Sequence, residues 1–180
     1  MLQVSKVKQL YRNRQMVLQT MLRFPDPGAA EIMAMTGADL IVIDNEHYPF
    51  SVSQIESIVR AAQAFGGECA VRVPNSEPKR ISQIMETGIS GILVPHVETY
   101  EEAMTVVNAV KYAPVGTRGF CPITRAAAYG MRMSQSDEVA GGKIVSLFET
   151  ETDERSLYSE LLREKLFWTT QMRSLFSIWI

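Results

Sequence analysis

Two rhythms alternate along the chain. Short β-branched runs, apolar without interruption, are separated by stretches whose apolar residues recur at helical spacing. Val4, Val7, Leu10 and Tyr11 predict a helix over 3–13, and a strand is expected at 16–21. Pro25 and Pro27 break the chain, and a helix over 29–36 ends at Gly37. Residues 39–44 read as a strand closed by an acid, and 53–65 as a helix stopped by Gly66 and Gly67. A strand at 69–73 closes at Pro74, a helix at 79–87 ends at Gly88, and a strand at 91–94 closes at Pro95. Thr99 caps an expected helix running to Lys111, with Glu102 placed for a capping box. Residues 116–120 fit a short strand and 143–148 a longer one.

Strands that are apolar on both faces belong in a parallel sheet covered by helices. The alternation therefore predicts an α/β protein, either a barrel or a doubly wound sheet. No G-x-G-x-x-G follows the first strand, which counts against dinucleotide binding, and no G-x-x-x-x-G-K-[ST] is present. Composition adds exclusions. With 46% hydrophobic and 21% charged residues, the 180-residue chain is globular rather than disordered. Eighteen basic against twenty acidic side chains leave a net charge of −2, so no basic excess points to nucleic acid. No apolar run is long enough to span a bilayer, and the first residues lack the core of a signal peptide. Cys69 and Cys121 are too few for a disulfide framework, so a reducing, cytoplasmic setting is expected.

Charged residues cluster after the predicted strands: Asp44, Glu46 and His47 after one, Arg72 on the next, His96 on the next, Arg118 in the fifth unit and Glu149 after the sixth. In a parallel barrel such positions meet at the C-terminal rim, where active sites of that architecture form. A carboxylate near His47 can hold its tautomer and raise its basicity, so Asp44 and His47 are read as an acid–base pair. His96 is read as a rim residue. Arg72 has two open readings, a structural pair with an acid such as Glu46 or a fork offered to a substrate carboxylate. Arg118, in a tight Gly-Thr-Arg-Gly turn, can help hold an anion. Glu149 is a hard oxygen donor suited to Mg²⁺ or Mn²⁺. Lys79 and Arg80 are read as a solvated helix start.

Five segments, in order, carry a resemblance: 37–47 (Gly-Ala-Asp-Leu-Ile-Val-Ile-Asp-Asn-Glu-His), 70–74 (Ala-Val-Arg-Val-Pro), 88–96 (Gly-Ile-Ser-Gly-Ile-Leu-Val-Pro-His), 112–119 (Tyr-Ala-Pro-Val-Gly-Thr-Arg-Gly) and 148–150 (Phe-Glu-Thr). Together they resemble the HpcH/HpaI aldolases, the metal-dependent class II pyruvate aldolases that include the 2-dehydro-3-deoxyglucarate and 4-hydroxy-2-oxoheptanedioate enzymes. The resemblance implies a (β/α)₈ barrel of the phosphoenolpyruvate/pyruvate type. It implies a carbon–carbon lyase, an aldehyde-lyase that reversibly cleaves a 4-hydroxy-2-oxo acid to pyruvate and an aldehyde through a metal-stabilised enolate. It assigns His47, Asp44 and Arg72 to catalysis, Arg72 and Glu46 with Arg118 to substrate, and Glu149 to a divalent metal (Mg²⁺, Mn²⁺ or Co²⁺). Small-molecule partners and a homo-oligomer follow, with no nucleic acid and no membrane.

After residue 150 the pattern departs. The family continues to a Gly-Pro-Ala-Asp segment whose aspartate is a second metal ligand, whereas no Gly or Pro follows Gly142 here. The expected organisation is a partial barrel domain over 1–150, about six of eight units, and a divergent or frameshifted helical tail over 151–180. The alternatives are a catalytically dead, truncated aldolase-like binding or assembly module, and citrate-lyase-like chemistry on a CoA thioester.

Overall fold

A computed structural model of the chain describes residues 5–131 in full, together with the backbone of strands 145–148, 167–170 and 176–179. The elements run α1 (Lys6–Arg12), β1 (Gln19–Leu22), α2 (Pro27–Met35), β2 (Leu40–Asp44), α3 (Val52–Ala64), β3 (Glu68–Arg72), α4 (Pro78–Met85), β4 (Gly91–Val94), α5 (Tyr100–Val110), β5 (Val145–Phe148), β6 (Phe167–Thr170) and β7 (Phe176–Trp179). Local chemistry sets the helix starts. Ser51 with Gln54, and Thr99 with Glu102, form the reciprocal bonds of capping boxes, the second as its sequence predicts. Pro27 and Pro78 sit in the first turns of α2 and α4, where a missing N–H costs nothing.

Strands β1 to β5 pair in parallel and in chain order. A doubly wound sheet reverses its strand order partway, so sequential order points to a barrel wall. Side-chain alternation divides the apolar residues into two clusters. Leu40, Val42, Ala70 and Leu93 line the inner face, joined by Val7 of α1. Ile41, Ile43, Val71, Ile92 and Val94 face outward against Ile55, Ile58, Ile81, Ile84 and Val106 of the helices.

Helix α1 closes the N-terminal end of this wall. Lys6 Nζ pairs with Asp39 Oδ1 at 2.6 Å, and Ser5 Oγ donates to Glu68 Oε2 at 2.5 Å. Asp39 and Glu68 stand at the starts of β2 and β3, so the helix lies across the floor of the barrel. At the other flank, no strand among the described residues pairs with the outer edge of β1, and Met16, Leu18, Ile32 and Met35 are exposed near it.

Two expectations are corrected. Residues 116–120 form no strand, because their backbone is spent on a turn against α5. The N–H groups of Gly116, Thr117 and Arg118 donate to the carbonyls of Tyr112, Asn108 and Lys111. A Cβ at Gly116 would stand 2.4 Å from the Lys111 carbonyl oxygen, so only glycine permits that approach. Among the described residues the parallel wall has five strands. In the segment expected to be a helical tail, β6 and β7 are strands, with β7 antiparallel to both β5 and β6. Among the described residues, no helix is long and apolar enough to cross a membrane.

Ile92 is fully buried between sheet and helices. Ile92→Ala should cost about 2–5 kcal/mol, whereas Thr99→Ala, which removes one cap, should cost about 1 kcal/mol. Urea denaturation followed by circular dichroism measures both.

Candidate active site

The inner-face alternation that buries Leu40 and Val42 on β2, and Ala70 on β3, brings Asp44 and Arg72 to the same face at the strands' C-terminal ends. The two residues are register partners. Arg72 Nε donates to Asp44 Oδ1 at 3.0 Å and Nη2 to Asp44 Oδ2 at 2.7 Å, a two-bond fork. The Asp44 side chain is 1% exposed and that of Arg72 is 14% exposed. Burial opposes ionisation of Asp44. The Arg72 hydrogen bonds and charge, aided by the His47 backbone N–H, outweigh it and hold the carboxyl below its ordinary value.

Glu46 sits in the loop after β2 and is the junction of the remaining groups. Its Oε2 lies 3.2 Å from Arg72 Nε and 3.4 Å from His47 Nε2, and its Oε1 lies 3.7 Å from His96 Nε2. Oε2 is buried and lacks a well-formed hydrogen bond, so charge rather than geometry holds it. Both imidazoles are largely exposed. His96 has φ of 55°, a left-handed conformation uncommon outside glycine and frequent at functional sites.

The expected residues are thus partly gathered. Asp44, Glu46, His47 and Arg72 converge, and His96, read as a rim residue, joins them at Glu46. The carboxylate beside the His47 imidazole is Glu46. Asp44 is committed to Arg72 and meets His47 through its backbone. Of the two readings of Arg72, the acid pair is observed, with Asp44 as the principal partner.

Arg118 is not brought to the mouth. Its Nη2 bonds Glu86 Oε1 at 2.7 Å, its guanidinium lies 4.6 Å from the centre of the Tyr112 ring, and its side chain is 1% exposed. Glu86 ends α4, which runs back from the Arg72 end of the sheet, so this pair belongs to the opposite end. A planar, weakly hydrated cation in a tight turn serves a buried pair as well as it serves an anionic ligand, and sequence does not separate the two uses.

Sequence reasoning also missed Asn45 and Arg80. Arg80 Nη2 donates to Asn45 Oδ1 at 2.9 Å rather than standing in solvent. The signal was the asparagine inside an otherwise acidic and basic cluster.

Asp44 and Glu46 are hard oxygen donors, but both carboxylates are turned onto Arg72. Among the described residues no group of three His, Cys, Asp or Glu side chains is arranged to hold a metal. Glu149, expected as a ligand, lies outside the described residues. The described residues alone therefore do not complete a metal centre.

The sequence pattern of the HpcH/HpaI aldolase/citrate lyase family matches residues 21–155. The chain belongs to this family. The 2-dehydro-3,6-dideoxy-6-sulfogluconate aldolase of Pseudomonas putida is 36% identical over 113 residues, covering 63% of this chain and 44% of that protein. A pyruvate aldolase of Rhizobium etli is 34% identical over 130 residues, covering 72% and 51%. The crystal structure of an HpcH/HpaI family protein from Burkholderia cenocepacia superposes with a TM-score of 0.74 at 29% identity, over 81% of this chain and 59% of that one. The chain spans about half the length of the curated relatives it matches. Its described wall is the corresponding part of a TIM barrel.

Removing one partner of the Asp44–Arg72 pair strands a buried charge, so Arg72→Leu should cost about 3–5 kcal/mol in denaturant. The folded Asp44 carboxyl holds its proton less tightly than the unfolded one. Its stabilising contribution is therefore complete above the ordinary aspartate value of about 3.9 and fades as pH falls through the lower folded value. Thermal melts of the unsubstituted chain and Asp44→Asn, compared from pH 6 downward, should converge with acidification.

Proposed function

We propose that this chain carries the acid–base and carboxylate-binding part of a pyruvate-type aldolase, an aldehyde-lyase that cleaves a 4-hydroxy-2-oxo acid to pyruvate and an aldehyde. The single observation that supports this most is the cluster of Arg72, Glu46 and His47 at the C-terminal ends of β2 and β3, in a chain of this family.

In the cleavage direction, a base takes the proton of the C4 hydroxyl as the C3–C4 bond breaks. The electron pair of that bond passes into the 2-oxo group, which gives the enolate of pyruvate and releases the aldehyde. A proton then returns to C3. His47, exposed at the mouth with Glu46 beside it, is the proposed proton carrier. Glu46 steadies its imidazolium form. Arg72 is the proposed binding group for the substrate carboxylate and the growing enolate charge. Asp44 keeps the Arg72 fork in place from behind. Arg118, expected at the substrate, is left out of this assignment because its guanidinium is occupied by Glu86.

The family is generally dependent on a divalent metal. Glu149, which follows β5 directly, is the proposed ligand from this chain for Mg²⁺, Mn²⁺ or Co²⁺. When bound, such an ion supplies Lewis acidity toward the 2-oxo acid. A homo-oligomer and a reducing, cytoplasmic compartment complete the proposal; Cys69 and Cys121 are both free, the first buried.

The test is pyruvate release from a 4-hydroxy-2-oxo acid with each metal in turn. His47→Gln should lower turnover by at least about 10²-fold, and Glu149→Gln should abolish Mn²⁺ binding read by electron paramagnetic resonance. Release that is indifferent to both substitutions overturns the assignment.

A further inference from the structure

The loop that carries Glu46 and His47 is held by a pair of residues the proposed reaction does not use. Asn45, buried at the end of β2, donates its Nδ2 to the carbonyls of Tyr48 at 3.2 Å and Phe50 at 3.3 Å. These bonds draw residues 46–49 into a compact turn. The other end of the same amide, Oδ1, accepts from Arg80 Nη2 at 2.9 Å, and that nitrogen also lies 3.4 Å from the Phe50 carbonyl oxygen.

A carboxamide has two chemically different ends. With a guanidinium at Oδ1, the amino end must face the loop carbonyls. Rotated by half a turn, the amide would set oxygen against two carbonyl oxygens and its amino group against a cation. Arg80 thus selects the orientation that closes the turn. Its own placement is otherwise unfavourable. It lies in the first turn of α4, where the helix dipole repels a cation, and its hydrogen-bond partners among the described residues are both neutral oxygens. A charge held against that gradient by neutral partners marks a contact with a purpose beyond ion pairing.

We propose that Arg80 is a positioning residue: acting through Asn45, it fixes the turn that aims Glu46 and His47 at the mouth of the barrel. The proposal rests on the reading of those two residues as working groups, but its test does not depend on turnover.

The chain has two histidines, so a histidine-selective Cε1–H spectrum has two resonances, assigned with His96→Gln. Arg80→Met should move the His47 resonance, and that of His96 by a smaller amount through its contact with Glu46. Asn45→Ala should reproduce that shift, and the double variant should add nothing further, as expected for residues acting in series. Arg80→Lys, which can still donate to Oδ1, should restore most of the original position. In the cleavage assay, Arg80→Met should lower kcat about tenfold or more with KM changed less than about twofold, and Arg80→Lys should recover it. Two unmoved histidine resonances in Arg80→Met overturn the proposal. So does equal movement of both together with a lowered melting temperature, which makes Arg80 a general stabilising residue. An unsubstituted chain that releases no pyruvate sinks the catalytic reading, while the spectra still decide whether Arg80 sets the turn.

Discussion

The fork between Asp44 and Arg72 is the interaction on which the rest of the mouth depends. Each residue ends its strand on the inner face beside Val42, Ala70 and Leu93, surroundings that would reject a lone charge. Facing each other in register across β2 and β3, the two charges satisfy one another through two bonds of fixed geometry. The fork leaves Arg72 Nε within reach of Glu46 Oε2 as well, and Glu46 then draws the two imidazoles. A single ion pair between adjacent strands therefore organises three further polar contacts around it. The same pair holds the planar guanidinium stationary, a condition for recognising a flat carboxylate.

Much of the architecture was legible because its signals are local. The apolar runs of β2, β3 and β4, the glycine stops after α2, α3 and α4, and the Thr99–Glu102 box each specify their element without help from distant residues. The strand at 116–120 misled because its fate depends on α5: the Lys111 and Asn108 carbonyls claim its N–H groups, and no pattern within those five residues records that competition. The site divides the same way. That Asp44 and Arg72 would share a face follows from two-residue alternation along strands of known register. That Glu46, rather than Asp44, would meet the His47 imidazole depends on how one turn folds. Turn geometry here is decided by Asn45 and by Arg80, thirty-five positions further along the chain.

Arginine is used in three ways in this small structure, and only context distinguishes them. Arg72 offers its fork to two carboxylates at the mouth. Arg118 is sealed between a carboxylate and an aromatic face at the far end. Arg80 addresses neutral oxygens. Sequence alone offers Arg72 and Arg118 as candidate anion binders and reads Arg80 as part of a solvated helix start. Burial and the identity of the partner, which are properties of packing, reassign two of them to holding the protein together.

The floor of the barrel carries an implication for the order of assembly. Ser5 and Lys6 find their partners at Glu68 and Asp39, so the first helix emerges from the ribosome well before the residues that anchor it exist. Until the third strand has been synthesised, α1 can offer only its own short hydrogen-bonded turns, which are too few to persist in water. Helix α1, made before its anchors, is therefore fastened late, and closing that long loop belongs among the slow steps by which the chain becomes compact.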